Sequence, residues 1–157
     1  MYDVIIIGLG CAAYTAAIYT ARYKLSTLIV GAEEGGMGMT ATEVGNWPGI
    51  IEIAGPELME NFKKHALSYG DIVTHRNAWV RGVERMDGTR GQERAREGTR
   101  GSAIFRLTLE NGEIVEGKTV IFAMGSAKRK LGVKGEEEFL RKGVTYCATC
   151  DAFFYRG

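Results

Sequence analysis

The sequence contains few of the residues that mark secreted or nucleic-acid-binding proteins. Its 157 residues include only two prolines, two histidines and three cysteines. Three cysteines are too few for the disulfide framework of a secreted chain, and they suit a reducing compartment with one reactive pair and one further thiol. Lys plus Arg number 20 and Asp plus Glu 19, giving a net charge of +1. This balance provides no field to attract nucleic acid or an anionic membrane, so we expect neither as a partner.

One uncharged run, from Val4 to Ala21, is long enough to suggest a membrane span. Asp3 precedes it where a signal peptide would carry positive charge, and Gly8 and Gly10 interrupt it. A buried strand that leads into a buried helix explains the run better. We therefore expect a cytoplasmic protein.

Hydrophobic residues, at 45%, and glycine, at 22 positions, are plentiful. With 25% charged residues, this composition excludes intrinsically disordered and fibrous proteins and predicts a folded protein with many tight turns. The length by itself favours one domain rather than two.

The first thirty residues predict a strand, a helix and a second strand in that order. Tyr2–Ile7 is a β-branched apolar run, Cys11–Tyr23 reads as an Ala-rich helix, and Leu25–Val30 is a second apolar run. Two parallel strands need a crossover helix of about this length. These residues therefore predict a βαβ unit.

The rest of the chain predicts a second helix and a series of strands. After a Gly-rich stretch over residues 31–55, the helix is expected to begin at Pro56 and to stop at Gly70. Strand-like segments follow at 71–75, 78–83, 104–109, 114–117 and 119–123, with Asn111-Gly112 as a hairpin turn. The Arg-rich segment, about 85–102, repeats GTRG, and we interpret it as a solvated hairpin extension without a function.

The turn after the first strand, Gly8-Leu9-Gly10-Cys11-Ala12-Ala13, matches G-x-G-x-x-A. Its glycines let the backbone approach a pyrophosphate, which free N–H groups and the helix dipole stabilise, and a small Ala13 lets helix and strand pack closely. Glu33 or Glu34 is a candidate to accept hydrogen bonds from ribose hydroxyls. A plain tight turn is the alternative. Strand, helix, strand and acid in this order favour an α/β, Rossmann-like nucleotide-binding fold.

A second motif, Cys147-Ala148-Thr149-Cys150, is followed at once by Asp151. Its spacing allows a small-ring disulfide, and at a helix start one thiol is stabilised as a thiolate. Asp151 is a candidate proton donor or acceptor, or else a helix cap. Zinc would need two further ligands, so we predict no metal site. We interpret Cys11 as a small buried residue, and His65 and His75 as surface or packing residues.

A nucleotide site and a redox dithiol on one chain suggest electron flow from a bound cofactor to a disulfide. The sequence also resembles the low-molecular-weight thioredoxin reductases along nearly its whole length, except in the Arg-rich segment. The resemblance rests on MYDVIIIGLGCAAYTAAIYTAR, GAEEGG, TEVGNWPG, AMG, KRKLGVKGEEEF and GVTYCATCDAFFYRG. It implies a flavoenzyme, dimeric at full length, in which NADPH reduces FAD, FAD reduces the disulfide, and the dithiol reduces thioredoxin.

The resemblance also implies roles for individual residues. Cys150 would face the flavin ring, Cys147 would attack the disulfide of thioredoxin, and Asp151 would be the acid/base. The FAD pyrophosphate would be held by Gly8, Gly10, Ala12 and Ala13, and the adenosine ribose by Glu33 or Glu34. The next turn would be lined by Gly35, Gly36 and Met37. Asn46 would approach the flavin side of the cofactor, Val80 would border the adenine, and the segment from Ala123 to Gly125 would close the site.

The chain departs from the family pattern in several ways. Cys11 stands where proline is frequent, while Met37 and Met124 replace common polar residues near the cofactor. A second glycine fingerprint for NADPH and the C-terminal return to the FAD domain are missing. We therefore expect residues 1–125 to be most of an FAD-binding lobe, with a parallel sheet and a β-meander layer, and residues 126–157 to begin an NADPH domain. The alternatives are a non-catalytic FAD-binding fragment that needs a partner chain, or a related flavoprotein that reduces another protein disulfide.

Overall fold

The structure, a computed structural model, describes residues 1–86, 103–140 and 142–148. Contacts within the chain divide it into two units, Met1–Gly125 and Ser126–Gly157. The helices and strands considered below belong to the first unit. No helix within the described ranges is long and apolar enough to cross a membrane.

The first unit alternates strands and helices and then ends in antiparallel strands. Its strands are β1 (Tyr2–Ile7), β2 (Thr27–Gly31), β3 (Val73–Asn77), β4 (Val80–Met86), β5 (Ile104–Leu109) and β6 (Ile114–Phe122). Its α-helices are α1 (Cys11–Arg22) and α2 (Gly55–Leu67), and the short 3-10 helices are Gly36–Thr40 and Gly70–Ile72.

One six-stranded sheet contains all of these strands, in the order β3-β2-β1-β6-β5-β4. The pairs β3–β2, β2–β1 and β1–β6 are parallel, whereas β6–β5 and β5–β4 are antiparallel. β6 belongs to both parts, since its first half pairs with β5 and its second half with β1. The predicted Rossmann-like α/β fold, with a parallel sheet and a meander, is confirmed.

The core consists of two clusters, because β1 sends alternate side chains to opposite faces of the sheet. Val4 and Ile6 pack with the buried side of α1 and with Ala66 of α2. Ile5 and Ile7 belong to the other cluster, which joins β2 to β5 and β6. Because both faces are covered along Val4–Ile7, this part of β1 has to be apolar at every position.

Several predicted boundaries are wrong, and the structure shows the cause of each. Residues 114–117 and 119–123 form one strand, because β1 and β5 pair with its two halves in continuous register. The second helix ends at Leu67 rather than Gly70, and the Oγ of Ser68 donates to the carbonyl of His65 at 2.7 Å. The Asn111-Gly112 turn between β5 and β6 is confirmed.

Asp3 ties the start of β1 to both of its neighbouring strands. Its carboxylate accepts hydrogen bonds from Lys118 on β6, at 2.6 Å, and from the Oγ of Ser26 just before β2, at 2.8 Å. These contacts, with the Lys118 hydrogen bond as the largest cause, lower the pKa of Asp3 from 3.8 to about 2. The charged form of Asp3 therefore favours the folded state.

We expect Asp3→Asn to lower the urea midpoint of unfolding at neutral pH. Because the folded-state pKa is lowered, the stabilisation is complete above the unfolded value of 3.8 and is lost as pH falls toward about 2. The difference between the variant and the parent chain should therefore disappear over that interval. Glu52→Gln, at an exposed carboxylate, is the matched control. A difference that persists unchanged at pH 2 would contradict this account.

Candidate functional site

The carboxyl ends of β1, β2 and β6 meet at one edge of the sheet. Ile7, the last residue of β1, lies opposite Val30 on one side and Phe122 on the other. The N–H of Gly8 donates to the carbonyl of Val30 at 2.8 Å, and the N–H of Ala123 donates to the carbonyl of Ile7 at 2.8 Å. The turn after β1 is thus held between its neighbours. This edge is where open α/β sheets bind their ligands.

Gly8 occupies a backbone position that excludes other residues. Its φ of +129° lies in a region that L side chains rarely adopt, and a Cβ there would lie 2.1 Å from the carbonyl oxygen of Ala123. Gly10 is different, because its φ of −95° is ordinary. A Cβ on Gly10 would meet only the carbonyl oxygen of Gly35, at 3.9 Å. Gly8 is therefore required for the fold, because a side chain there would clash with Ala123. The absence of a side chain at Gly10 instead leaves open space beside the turn.

α1 begins at this turn without a side-chain cap. Gly10 is the N-cap residue, and the first helical turn holds no acidic residue. The N–H of Tyr14 donates to the carbonyl of Gly10 at 3.0 Å, which leaves the N–H groups of residues 11–13 without a helical acceptor. These groups and the helix dipole make a positively polarised end that suits an anion.

The side chains of this first turn divide between the core and solvent. Ala13 is fully buried, as close packing of helix and strand requires. Ala12 is exposed. Cys11 is an exposed free thiol, so the prediction that it is buried is wrong. The buried face of α1 begins only at Ala13, and Cys11 precedes it.

The loop after β2 lies against the turn. The N–H of Gly35 donates to the carbonyl of Leu9 at 2.7 Å, and a Cβ on Gly36 would lie 3.9 Å from the Cα of Gly10. The structure therefore brings together the predicted residues Gly8, Gly10, Gly35, Gly36 and Ala123, with Ala12 and Ala13 on the adjoining helix.

The two candidate carboxylates of this loop differ in their surroundings. Glu33 is exposed, whereas Glu34 is partly buried. The ammonium group of Lys63, on α2, donates to both carboxylate oxygens of Glu34, at 2.7 and 2.9 Å. The amide of Asn77, at the end of β3, donates to the same carboxylate at 3.4 Å. Hydrogen bonding from Lys63 is the main cause that holds the pKa of Glu34 below its ordinary value.

A buried ring, Tyr14, and a partly buried one, His75, lie near Glu34. The Nε2 of His75 is 3.4 Å from a carboxylate oxygen of Glu34, and the imidazole stacks on Tyr14 with ring centroids 6.4 Å apart. Burial lowers the pKa of His75. Burial first, and then the charges of Glu34 and Glu60, raise the pKa of Tyr14 to about 12. Both rings are therefore neutral at pH 7.

Sequence reasoning missed the set of side chains around Glu34. It treated His75 as a surface or packing residue and assigned no role to Lys63 or Asn77. These residues come from α2 and β3, far from Glu34 along the chain, so no local spacing connects them. The sequence does not indicate that Glu34, after β2, contacts Lys63, in the middle of α2. Their contact can be recognised only once the topology is known.

The remaining predicted binding residues lie on other elements. Met37 is exposed on the 3-10 helix Gly36–Thr40, and Asn46 is exposed in the loop that follows. Val80 begins β4 and packs against the second core cluster. Gly125 is exposed beyond the end of β6. Their contacts with a ligand stay predictions.

Of the predicted catalytic residues, the structure describes Cys147. It belongs to the second unit, is disulfide-bonded and is partly buried. Its N–H donates to the Oγ1 of Thr145 at 3.1 Å. Cys150 and Asp151 lie outside the described residues. Among the residues that are described, no group of three or more His, Cys, Asp or Glu is arranged to hold a metal ion.

Almost the whole chain matches the sequence model of a known protein family. The model described as pyridine nucleotide-disulphide oxidoreductase matches residues 2–157. The chain belongs to this family. The match includes both the glycine turn after β1 and the C-x-x-C motif, so one family accounts for the two motifs that the sequence singled out.

Members of the family named thioredoxin reductase are similar to almost the whole chain. That of Mycolicibacterium smegmatis is 42% identical over 158 residues, covering 99% of this chain and 45% of the relative. The bifunctional thioredoxin reductase/thioredoxin of Mycobacterium leprae is 40% identical, covering 100% and 31%. The crystal structure of Lactococcus lactis thioredoxin reductase superposes with a TM-score of 0.72 at 35% identity, covering 100% and 46%. The chain thus spans less than half the length of these relatives.

We expect Gly8→Ala to destabilise the fold by about 3 kcal/mol or more, because it combines a disfavoured φ with a backbone clash. Gly10→Ala is the matched control, since its backbone is ordinary and a methyl group has room; its cost should stay below about 1 kcal/mol. Urea unfolding followed by circular dichroism measures both. Equal losses in the two variants would show that the approach of Gly8 to Ala123 is not the constraint described above.

Proposed function

We propose that this chain is the FAD-binding part of a thioredoxin reductase-type flavoenzyme. Residues 1–125 form the FAD lobe in this proposal, and residues 126–157 begin the NADPH domain. The observation that carries the proposal is the open, uncapped turn at Gly8–Gly10, at the carboxyl ends of three parallel strands, in a chain 42% identical to a thioredoxin reductase.

The residues around the turn fit the diphosphate of FAD. Gly10 leaves room for phosphate oxygens, and the N–H groups of residues 11–13 are oriented to donate to them. Glu33 is exposed beside the turn and can accept hydrogen bonds from the adenosine ribose. Glu34 already accepts three hydrogen bonds, two from Lys63 and one from Asn77, so we assign the ribose to Glu33.

Bound FAD supplies a carrier that takes two electrons from a nicotinamide and passes them to a disulfide. In this chain Cys147 and Cys150 supply that disulfide. Its reduction takes up two electrons and two protons and yields two thiols, at the expense of one NADPH and one H⁺. Asp151, next to Cys150, gives or accepts the proton.

The dithiol then reduces a protein substrate by thiol–disulfide exchange. The thiolate of Cys147 attacks one sulfur of the oxidised partner, and Cys150 attacks the resulting mixed disulfide, so that the partner leaves as a dithiol. Thioredoxin is the proposed partner, supported by the names of the relatives, one of which joins a thioredoxin reductase to a thioredoxin. Such chemistry belongs in a reducing compartment, which we take to be the cytoplasm, and the resemblance implies a homodimer.

A second candidate function is a non-catalytic FAD-binding module that needs a partner chain. The specific observation in its favour is that the glycine turn and the strand ends around it lie within the first unit, Met1–Gly125, whereas Cys147 belongs to the second. The two candidates share the FAD site and differ in whether electrons from NADPH reach the disulfide.

Visible absorption of the purified 157-residue chain separates these candidates. A yellow protein whose flavin bleaches with NADPH and regains its colour with oxidised thioredoxin would support the reductase. Bound flavin that does not respond to NADPH would support the binding module. A protein that stays colourless after incubation with FAD would overturn both.

We expect Cys147→Ser to abolish thioredoxin reduction and to leave FAD affinity unchanged, because serine cannot form the disulfide or a thiolate. The assays are the thioredoxin-dependent oxidation of NADPH and the quenching of flavin fluorescence on binding. Ala148→Ser, at an exposed position in the same motif, keeps both thiols and should retain turnover. Turnover by Cys147→Ser would refute the role of the dithiol.

A further inference from the structure

Two separate elements, α2 and β3, supply the groups that surround the carboxylate of Glu34. Lys63 reaches it from α2 with two hydrogen bonds, and β3 contributes the amide of Asn77 and the imidazole of His75. The ammonium of Lys63 is the nearest of these groups, at 2.7 Å, and its side chain is 27% exposed. A charge-assisted pair with both oxygens engaged fixes the direction of the carboxylate.

Glu34 is covalently next to Gly35, whose N–H donates to the carbonyl of Leu9 at 2.7 Å. A path of contacts therefore runs from α2, through Lys63 and Glu34, to the centre of the glycine turn. On the other side of Glu34 the chain continues to Glu33, which is exposed. Holding Glu34 thus restricts both neighbours, one at the turn and one facing solvent.

The charges of the loop also favour a Glu34 carboxylate that is paired with a cation. Two adjacent carboxylates beside an anion-binding helix end would repel a diphosphate if both were unpaired. Lys63 neutralises Glu34 directly. His75 provides no positive charge here, because burial keeps its pKa low. One unpaired carboxylate, that of Glu33, remains to accept ribose hydroxyls.

We propose that Lys63 is a positioning residue for the nucleotide: by holding Glu34, it fixes the loop after β2 so that Glu33 faces the adenosine ribose. The inference rests on the proposed function, since it concerns how the FAD site is built. In this proposal Lys63 acts through Glu34 and Gly35.

The test measures the dissociation constant of FAD for the 157-residue chain by quenching of flavin fluorescence. Lys63→Met should weaken binding about fivefold, the factor expected for a partly exposed ion pair. Lys63→Arg, which preserves a two-point contact with the carboxylate, should restore most of the affinity. Lys64→Met is the matched control, because Lys64 is 71% exposed on the same helix and pairs only loosely with Glu60, at 3.8 Å.

Two further measurements separate positioning from a purely structural role. Glu34→Gln should weaken FAD binding as much as Lys63→Met, and the double variant should bind no more weakly than either single one. Hydrogen exchange of the Gly35 amide in the FAD-free chain should accelerate in Lys63→Met and not in Lys64→Met. All dissociation constants are measured well below the thermal midpoints of the FAD-free variants, so that the loss of global stability expected in Lys63→Met, where the pKa of Glu34 is no longer held low, does not affect them.

The outcomes distinguish this inference from the function on which it rests. If the parent chain binds no FAD, the proposed function is overturned and the inference falls with it. If the parent binds FAD and Lys63→Met binds equally well, only the role of Lys63 is overturned. Additive losses from Lys63→Met and Glu34→Gln would also overturn it, because they would mean that Glu34 contacts the nucleotide independently of Lys63.

Discussion

The close approach of the Gly8 backbone to the carbonyl of Ala123 is the constraint on which the first unit depends. β1 pairs in parallel on both sides, so the chain that leaves its end has to pass between the ends of β2 and β6. A residue without a Cβ, at a φ of +129°, makes that passage possible. α1 can then start immediately beyond the sheet, with its free N–H groups at the edge where the three strands end.

Gly8 and Gly10 have different structural roles, although the sequence motif does not distinguish them. Gly8 permits the strand pairing, and its side of the turn is filled by protein. Gly10 faces open space and forms the entrance to α1. In the G-x-G pattern, the first glycine therefore meets a requirement of the fold, and the second leaves space for the proposed FAD diphosphate.

The fold was predictable wherever neighbouring residues determine it. The bounds of β1, the start of α1 and the Asn111-Gly112 hairpin follow from short patterns, and the structure confirms them. The continuity of β6 was not predictable, because it depends on pairing with β1 and β5 at once. The glycine turn, by contrast, was predictable because its motif consists of adjacent residues. Lys63 was missed because its contact with Glu34 spans 29 residues of chain.

The strand register also bears on how this protein tolerates changes in its own length. β4 ends at Met86 and β5 begins at Ile104, and six residue pairs between them fix their alignment at the edge of the sheet opposite β3. The two copies of GTRG fall entirely between those ends. A change in the number of residues between Met86 and Ile104 leaves the same six pairs of β4 and β5 available in the same register. β6 separates both strands from β1, so such a change does not alter the strand pairing that holds the glycine turn.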